Sequence, residues 1–163
     1  MEKPLWAPWR MEFIDAPKRA GCIFCDFPAE EGPERDRANL LAHRGPRSFT
    51  ILNRFPYNNG HVLVVPRAHV AALEGLAPED FADLHDELKR AVAVIRKVYR
   101  PEGMNVGMNL GRVAGAGIAD HLHYHVVPRW TGDTNFMPVL SDTKVMIEHL
   151  DQSWERIRDG FEG

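Results

Sequence analysis

From Asp120 to Arg129 the chain reads Asp-His-Leu-His-Tyr-His-Val-Val-Pro-Arg, with histidines at 121, 123 and 125 alternating with Leu122, Tyr124 and Val126. Side chains on a strand alternate between its faces, so the spacing predicts one β-strand carrying His121, His123 and His125 together on one side. The apolar side belongs against a core. Packing does not explain the other side, because Ser, Thr or Lys would serve the alternation and a buried imidazole needs partners. Three of the eight histidines share this short face, which therefore reads as a site first and a strand second.

The rest of the chain supplies a frame for that strand. Residues 48–53 and 61–65 are β-rich and are joined by Arg54-Phe55-Pro56-Tyr57-Asn58-Asn59-Gly60, whose Asn-Gly ending favours a tight reversal. Residues 78–100 place Phe81, Leu84, Leu88, Val92, Ile95 and Tyr99 at steps of three and four, with Pro78 opening and Pro101 stopping a predicted helix. Residues 104–110 form a strand candidate, followed by the Gly-rich residues 111–117 and then the histidine strand, a second hairpin. A last amphipathic helix is expected over about 142–158, with Met146, Leu150, Trp154 and Ile157 on one face and Gly160 beyond its end. Residues 28–38 are charged and broken and read as a surface loop. Residues 1–20 form an irregular apolar arm, with Leu5, Trp6, Trp9, Phe13 and Ile14 between prolines, expected to pack on the body or across a subunit interface. Hairpins with a separate long helix indicate an antiparallel α+β domain, and 163 residues suit a single domain over 1–163.

Composition narrows the partners. The formal net charge of -3 provides no basic field for nucleic acid, so an anionic ligand must be held by local groups. No apolar run approaches the roughly 18 residues of a spanning helix, and Met1 to Arg10 lacks the apolar stretch of a secretory signal, so no membrane is expected and the expected location is the cytoplasm. The two cysteines stand together as Cys22-Ile23-Phe24-Cys25, a spacing that in a reducing compartment suggests metal or redox chemistry.

Two chemistries compete for the histidines. Along an extended strand His121 and His125 lie roughly 13 Å apart, which disfavours one metal held by all three. A neutral imidazole is also a competent nucleophile near pH 7 when a neighbour fixes its tautomer, and a central histidine flanked by two others suits that need.

His121-Leu122-His123-Tyr124-His125-Val126-Val127 resembles the His-φ-His-φ-His-φ-φ signature (φ apolar) of the histidine triad nucleotide hydrolases and transferases. Residues 55–70, from Phe55-Pro56-Tyr57 through Gly60-His61 and Pro66 to Val70, are similar to that family's hairpin, and the resemblance covers about 22–131. It implies a HIT-like antiparallel sheet with one long helix. It also implies attack on the α-phosphate of a nucleotide to give a nucleotidyl-histidine, with His123 matching the nucleophile, His125 the phosphate and leaving-group contact, and His121 the orienting histidine. Asn53 falls where the family places a ribose contact, while Asn109 and the glycine loop, with Gly117, fall on the phosphate side. Small members carry Gly-Gln-Ser or Gly-Gln-Thr before the motif, but here Gly115-Ala116-Gly117-Ile118-Ala119-Asp120 lacks those donors, leaving backbone N–H groups with Arg112 or Arg129 to replace them. The Leu5-to-Arg10 arm and Val127-to-Pro138 resemble the diadenosine polyphosphate branch, in which water or inorganic phosphate completes the reaction. A phosphoramidate substrate and a nucleotide-binding regulator are the alternatives, and a homodimer without organic cofactor is implied.

The same resemblance gives the cysteine pair partners. Cys22 and Cys25 provide two of the four ligands of a structural zinc, and His69 and His121 match the positions that close the tetrahedron. The alternative is a pair of reduced thiols packed as small apolar groups.

Overall fold

The structure, a computed structural model, describes residues 21–134 and 145–163. The expected N-terminal arm 1–20 and the 142–144 end of the expected last helix lie outside the described residues. Five strands form one antiparallel sheet: β1 Leu41–Arg44, β2 Ser48–Leu52, β3 Val62–Pro66, β4 Gly103–Met108 and β5 Tyr124–Arg129, in the order β1-β2-β3-β5-β4. Among the described residues four α-helices accompany it: α1 Ile23–Ala29, α2 Pro33–Asn39, α3 Pro78–Tyr99 and α4 Leu150–Glu162. The architecture is the expected antiparallel α+β, with both hairpins and the long helix in place.

Alternation along β2 shows how the layers are made. Thr50 points to α3, where its hydroxyl donates to Glu87 at 2.5 Å, and its neighbour Phe49 points to the opposite face, edge-on to Phe24 of α1. Both faces of β2 and β3 are thus covered, and their apolar runs read as fully buried strands. On α3 the inward stripe is Leu84, Ala91, Val94 and Ile95 with Glu87 among them, while Phe81 stays largely exposed. Glu87 is tolerated there because Thr50 and His43 both bind its carboxylate. Arg100, in the left-handed conformation (φ 47°), ends the helix just before Pro101.

Local structure departs from the sequence reading at four places. Residues 28–38 are largely helical rather than loop: Pro33 opens α2 with Glu34 and Asp36 in its first turn, and Arg44 of β1 ties Asp36 and the Pro28 and Glu30 carbonyls together. Strand β1 carries too short an alternation to be read from sequence, and it bulges between Leu41 and His43. The last helix starts at Leu150 and runs through Gly160. That glycine is an approach point and not a stop, since a Cβ there would sit 2.8 Å from Val94 Cγ1 and 2.9 Å from Val98 Cγ2 of α3.

The fourth change concerns the histidines. The strand begins at Tyr124, so only His125 lies in the sheet, and residues 121–123 approach it outside the ladder. The reason is competition for backbone partners. Leu122 N–H donates to the Val70 carbonyl at 2.8 Å, and the Pro66 carbonyl accepts from the His121 ring, which draws this segment toward the loop after β3.

Candidate active site

His123 is 5% exposed, packed on the Phe24 ring at 5.0 Å between centroids. Its Nδ1 lies 2.9 Å from the His121 carbonyl, which can only accept, so Nδ1 carries the proton and Nε2 the lone pair. Among the described residues Nε2 has no hydrogen-bond partner, and the only sealed, unpartnered side-chain nitrogen or oxygen there is Asn59 Nδ2. The lone pair of His123 therefore reaches open space.

His125 is oriented by a relay that begins in the β2–β3 turn. Tyr57 N–H donates to His61 Nδ1 at 3.0 Å, which places the His61 proton on Nε2, and Nε2 lies 3.0 Å from His125 Nδ1. His125 thus accepts at Nδ1 and presents an N–H at Nε2 without being charged. The turn positions His61 as the cap of β3, with its N–H bound to the Asn58 carbonyl. Sequence reading missed this fourth histidine as a site residue; its only signal was its place directly after Asn-Gly at the strand's start.

Burial pushes His121, His123 and His125 below the ordinary imidazole value, His125 to about 4 with a further contribution from His123 beside it. Both histidines of the attack face are therefore neutral at pH 7. For His125 the native value of about 4 lies under the ordinary value near 6.5, so between these pH values the unfolded chain binds a proton that the folded chain refuses. Stability falls as pH drops through that window. The melting temperature of wild type is expected to decline more steeply from pH 7 to 4.5 than that of His125→Asn, and parallel slopes would refute this.

Cys22, Cys25, His69 and His121 converge, their ligand atoms all within 4.8 Å of one another. Cys22 caps α1 and Cys25 closes its first turn, both Cys25 and Asp26 N–H groups binding the Cys22 carbonyl. His121 is fully buried and donates from Nε2 to the Pro66 carbonyl at 2.8 Å, so its Nδ1 lone pair faces the group. That Nδ1 lies 3.4 Å from Cys22 Sγ, 3.6 Å from Cys25 Sγ and 3.2 Å from His69 Nδ1, and Cys25 Sγ lies 3.3 Å from His69 Nδ1. A tetrahedron with metal–nitrogen bonds of about 2.0 Å and metal–sulfur bonds of about 2.3 Å has edges of about 3.3–3.8 Å. Donor types and spacing fit a four-coordinate cation. His121 is the hinge between the two groups, its ring in the Cys22–Cys25–His69 cluster and its carbonyl on the His123 ring.

The remaining expected residues are distributed unevenly. Asn109 lines a cleft of about 410 Å³ together with Tyr57, Asn105, Gly107, His125 and Arg129, among others. Asn53 does not line that cleft; its Oδ1 accepts Phe55 N–H at 3.0 Å and its Nδ2 lies 3.4 Å from Nδ1 of His61, the histidine behind His125. Gly117 is exposed in the loop between β4 and β5. Arg129 does not offer an uncompensated charge, because the Asp133 carboxylate binds its guanidinium and is held well below the usual carboxylate range by it. Arg112 stands exposed on the loop.

A buried neutral imidazole with a fixed lone pair, beside a second imidazole presenting an N–H, defines a site for nucleophilic transfer rather than a metal-activated one. Residues 38–132 match the HIT domain family. The chain is 42% identical over 151 residues to AP-4-A phosphorylase of Mycobacterium tuberculosis (strain H37Rv), which covers 90% of this chain and 77% of that protein. It is 32% identical to the adenosine 5'-monophosphoramidase hnt1 of Schizosaccharomyces pombe over 66% of this chain and 74% of that one. Its fold superposes with a TM-score of 0.67 on a Zn-bound histidine triad family protein from Mycobacterium smegmatis, 25% identical, covering 86% of this chain and 93% of that chain. The chain belongs to the HIT family.

Proposed function

We propose that this chain is an enzyme that cleaves dinucleoside polyphosphates such as diadenosine tetraphosphate at an α-phosphate, by way of a nucleotidyl-His123 intermediate. The observation that carries the reading is the His123 tautomer, with Nδ1–H held by the His121 carbonyl and Nε2 open. Nε2 attacks the α-phosphorus and forms an N–P bond, while the P–O bond to the leaving nucleoside polyphosphate breaks and its electron pair departs with that oxygen. The ring becomes cationic as it is phosphorylated, and the His121 carbonyl dipole at Nδ1–H stabilises that charge. His125 Nε2–H hydrogen-bonds the phosphate or departing oxygen, and Asn109 lies beside it in the cleft. Water or inorganic phosphate then attacks the same phosphorus and restores neutral His123.

The similarity to AP-4-A phosphorylase over nine-tenths of this chain supports both the substrate and phosphate as the second nucleophile. Incubation with diadenosine tetraphosphate tests it. ADP formed only when phosphate is present identifies phosphorolysis, ATP with AMP identifies hydrolysis, and no dinucleotide turnover overturns the reading in favour of a phosphoramidate substrate or a regulator. His61 acts through His125, so His61→Phe is expected to lower kcat by roughly 10–100-fold with a much smaller change in KM, the scale of a small displacement of a positioned group. An effect confined to KM would remove His61 from this role.

The cation at the cysteine cluster is inferred to be zinc, supported by the two thiolate and two imidazole donors and by the zinc in the M. smegmatis relative. It fills all four positions with protein ligands and therefore orders the fold around His121 instead of binding substrate. A homodimer is inferred from the outer strand β4, which among the described residues pairs only with β5, with Val106 46% exposed and Leu110 and Val113 also exposed beyond it.

A further inference from the structure

We infer that the cleft along β4 and β5 seats the leaving nucleoside of the dinucleotide, with the Tyr57 ring against its base and Asn105 and the Arg129–Asp133 pair against its ribose hydroxyls or base edge. This rests on the substrate reading above and adds the part of the substrate that departs.

The position of the cleft comes first. Its lining includes His125 but not His123, so it extends from the leaving-group side of the phosphate and away from the nucleophile. From His125 it follows β5 to Arg129, four residues or roughly 13 Å along an antiparallel strand, a distance a polyphosphate chain can span. At about 410 Å³ it falls within the usual range of ligand pockets.

Its surface comes second. Gly107 stands opposite His125 across the ladder, and nothing lies within 4 Å of where its Cβ would be, which keeps the floor open beside the reacting phosphate. Farther along, Val127 gives an apolar floor. The Tyr57 ring lines the cleft, is 38% exposed, and packs against the His61 ring at 4.8 Å while inclined only 18° to the His125 ring at 6.0 Å, an aromatic surface of the kind on which bases stack.

Charge decides what the far end takes. Asp133 binds Arg129 and also accepts from Asn58 Nδ2 at 2.8 Å, so this end is polar but close to neutral. A terminal phosphate calls for an uncompensated cation, whereas ribose hydroxyls and base edges need only directed donors and acceptors. Asn105 gives its Oδ1 to Arg129 at 2.9 Å, and its amide nitrogen has no partner among the described residues. Adenosine 5′-phosphoramidate, whose leaving group is ammonia, would leave this cleft empty.

The test compares two substrates that transfer the same adenylyl group, diadenosine tetraphosphate and adenosine 5′-phosphoramidate, in wild type, Tyr57→Ala and Asn105→Leu. The ratio of kcat/KM for the dinucleotide to that for the phosphoramidate is expected to fall about tenfold in each variant, the size of one lost base stack or hydrogen bond. A ratio that does not move, whether both rates hold or both drop together, overturns the seat and leaves the substrate reading standing. Wild type that cleaves the phosphoramidate but no dinucleotide overturns the substrate reading, and the seat with it. Asn105 is exposed on β4 and outside the core, so its variant tests the cleft without depending on core packing, and an unchanged size in solution separates an effect on the cleft from one on the inferred β4 dimer edge.

Discussion

His123→Ala is expected to abolish covalent trapping of labelled AMP and to lower kcat by about 10⁴-fold or more, the scale seen when a catalytic nucleophile is removed. The argument is local. Alanine deletes the only imidazole whose tautomer is fixed by a main-chain carbonyl with its other nitrogen reaching open space, so no N–P bond forms and the two-step route closes. The neighbours do not substitute. His121 Nδ1 faces the cysteines, and His125 holds its lone pair toward His61. Because Phe24 packs against the ring, folding is checked separately by the melting temperature. Equal labelling of wild type and variant in gel or mass analysis would sink the assignment of the nucleophile.

Cys22→Ser is expected to take bound zinc from one equivalent per chain to none by elemental analysis, and to lower the melting temperature by about 10 °C or more. Structural zinc binding is worth on the order of 10 kcal/mol in small domains, and about 2–4 °C accompanies each kcal/mol in a chain of this size, so even partial loss is visible. The cluster joins elements far apart in sequence, the start of α1, the loop after β3 and the approach to β5. Removing the ion releases all of them together. It also frees the ring of His121, whose carbonyl holds the nucleophile, so kcat falls with zinc content while KM for the dinucleotide moves less. A Cys22→Ser protein that retains one equivalent of zinc refutes the ligand set.

Much of this molecule is legible in its sequence. The hairpin over 48–65 and helix 78–99 were readable because their information is local: a period of two broken by Asn-Gly, and a period near three and a half bounded by prolines. The elements that were missed carry weaker local signals. Strand β1 has four residues, and α1 and α2 have seven each, too short for periodicity to speak. Gly160 reads as a helix stop until α3 is seen to press against it.

The site divides along the same line. Sequence alone singled out histidines 121, 123 and 125 as a candidate functional group and Cys22 and Cys25 as a pair that calls for outside partners, because residue type and short spacing carry that chemistry. Only the tertiary structure decided which nitrogen of each ring holds the proton, that His61 completes the His125 relay, that the Asn53 amide stands against the His61 ring, and that Arg129 is neutralised by Asp133. The His61–His125 and His121–Pro66 bonds join residues far apart in sequence, which no local pattern encodes, and the shorter-range bonds of His123 and Arg129 exist only in the backbone course that the fold gives those segments. The histidines were visible as letters; their division of labour came from the hydrogen bonds that the fold imposes on them.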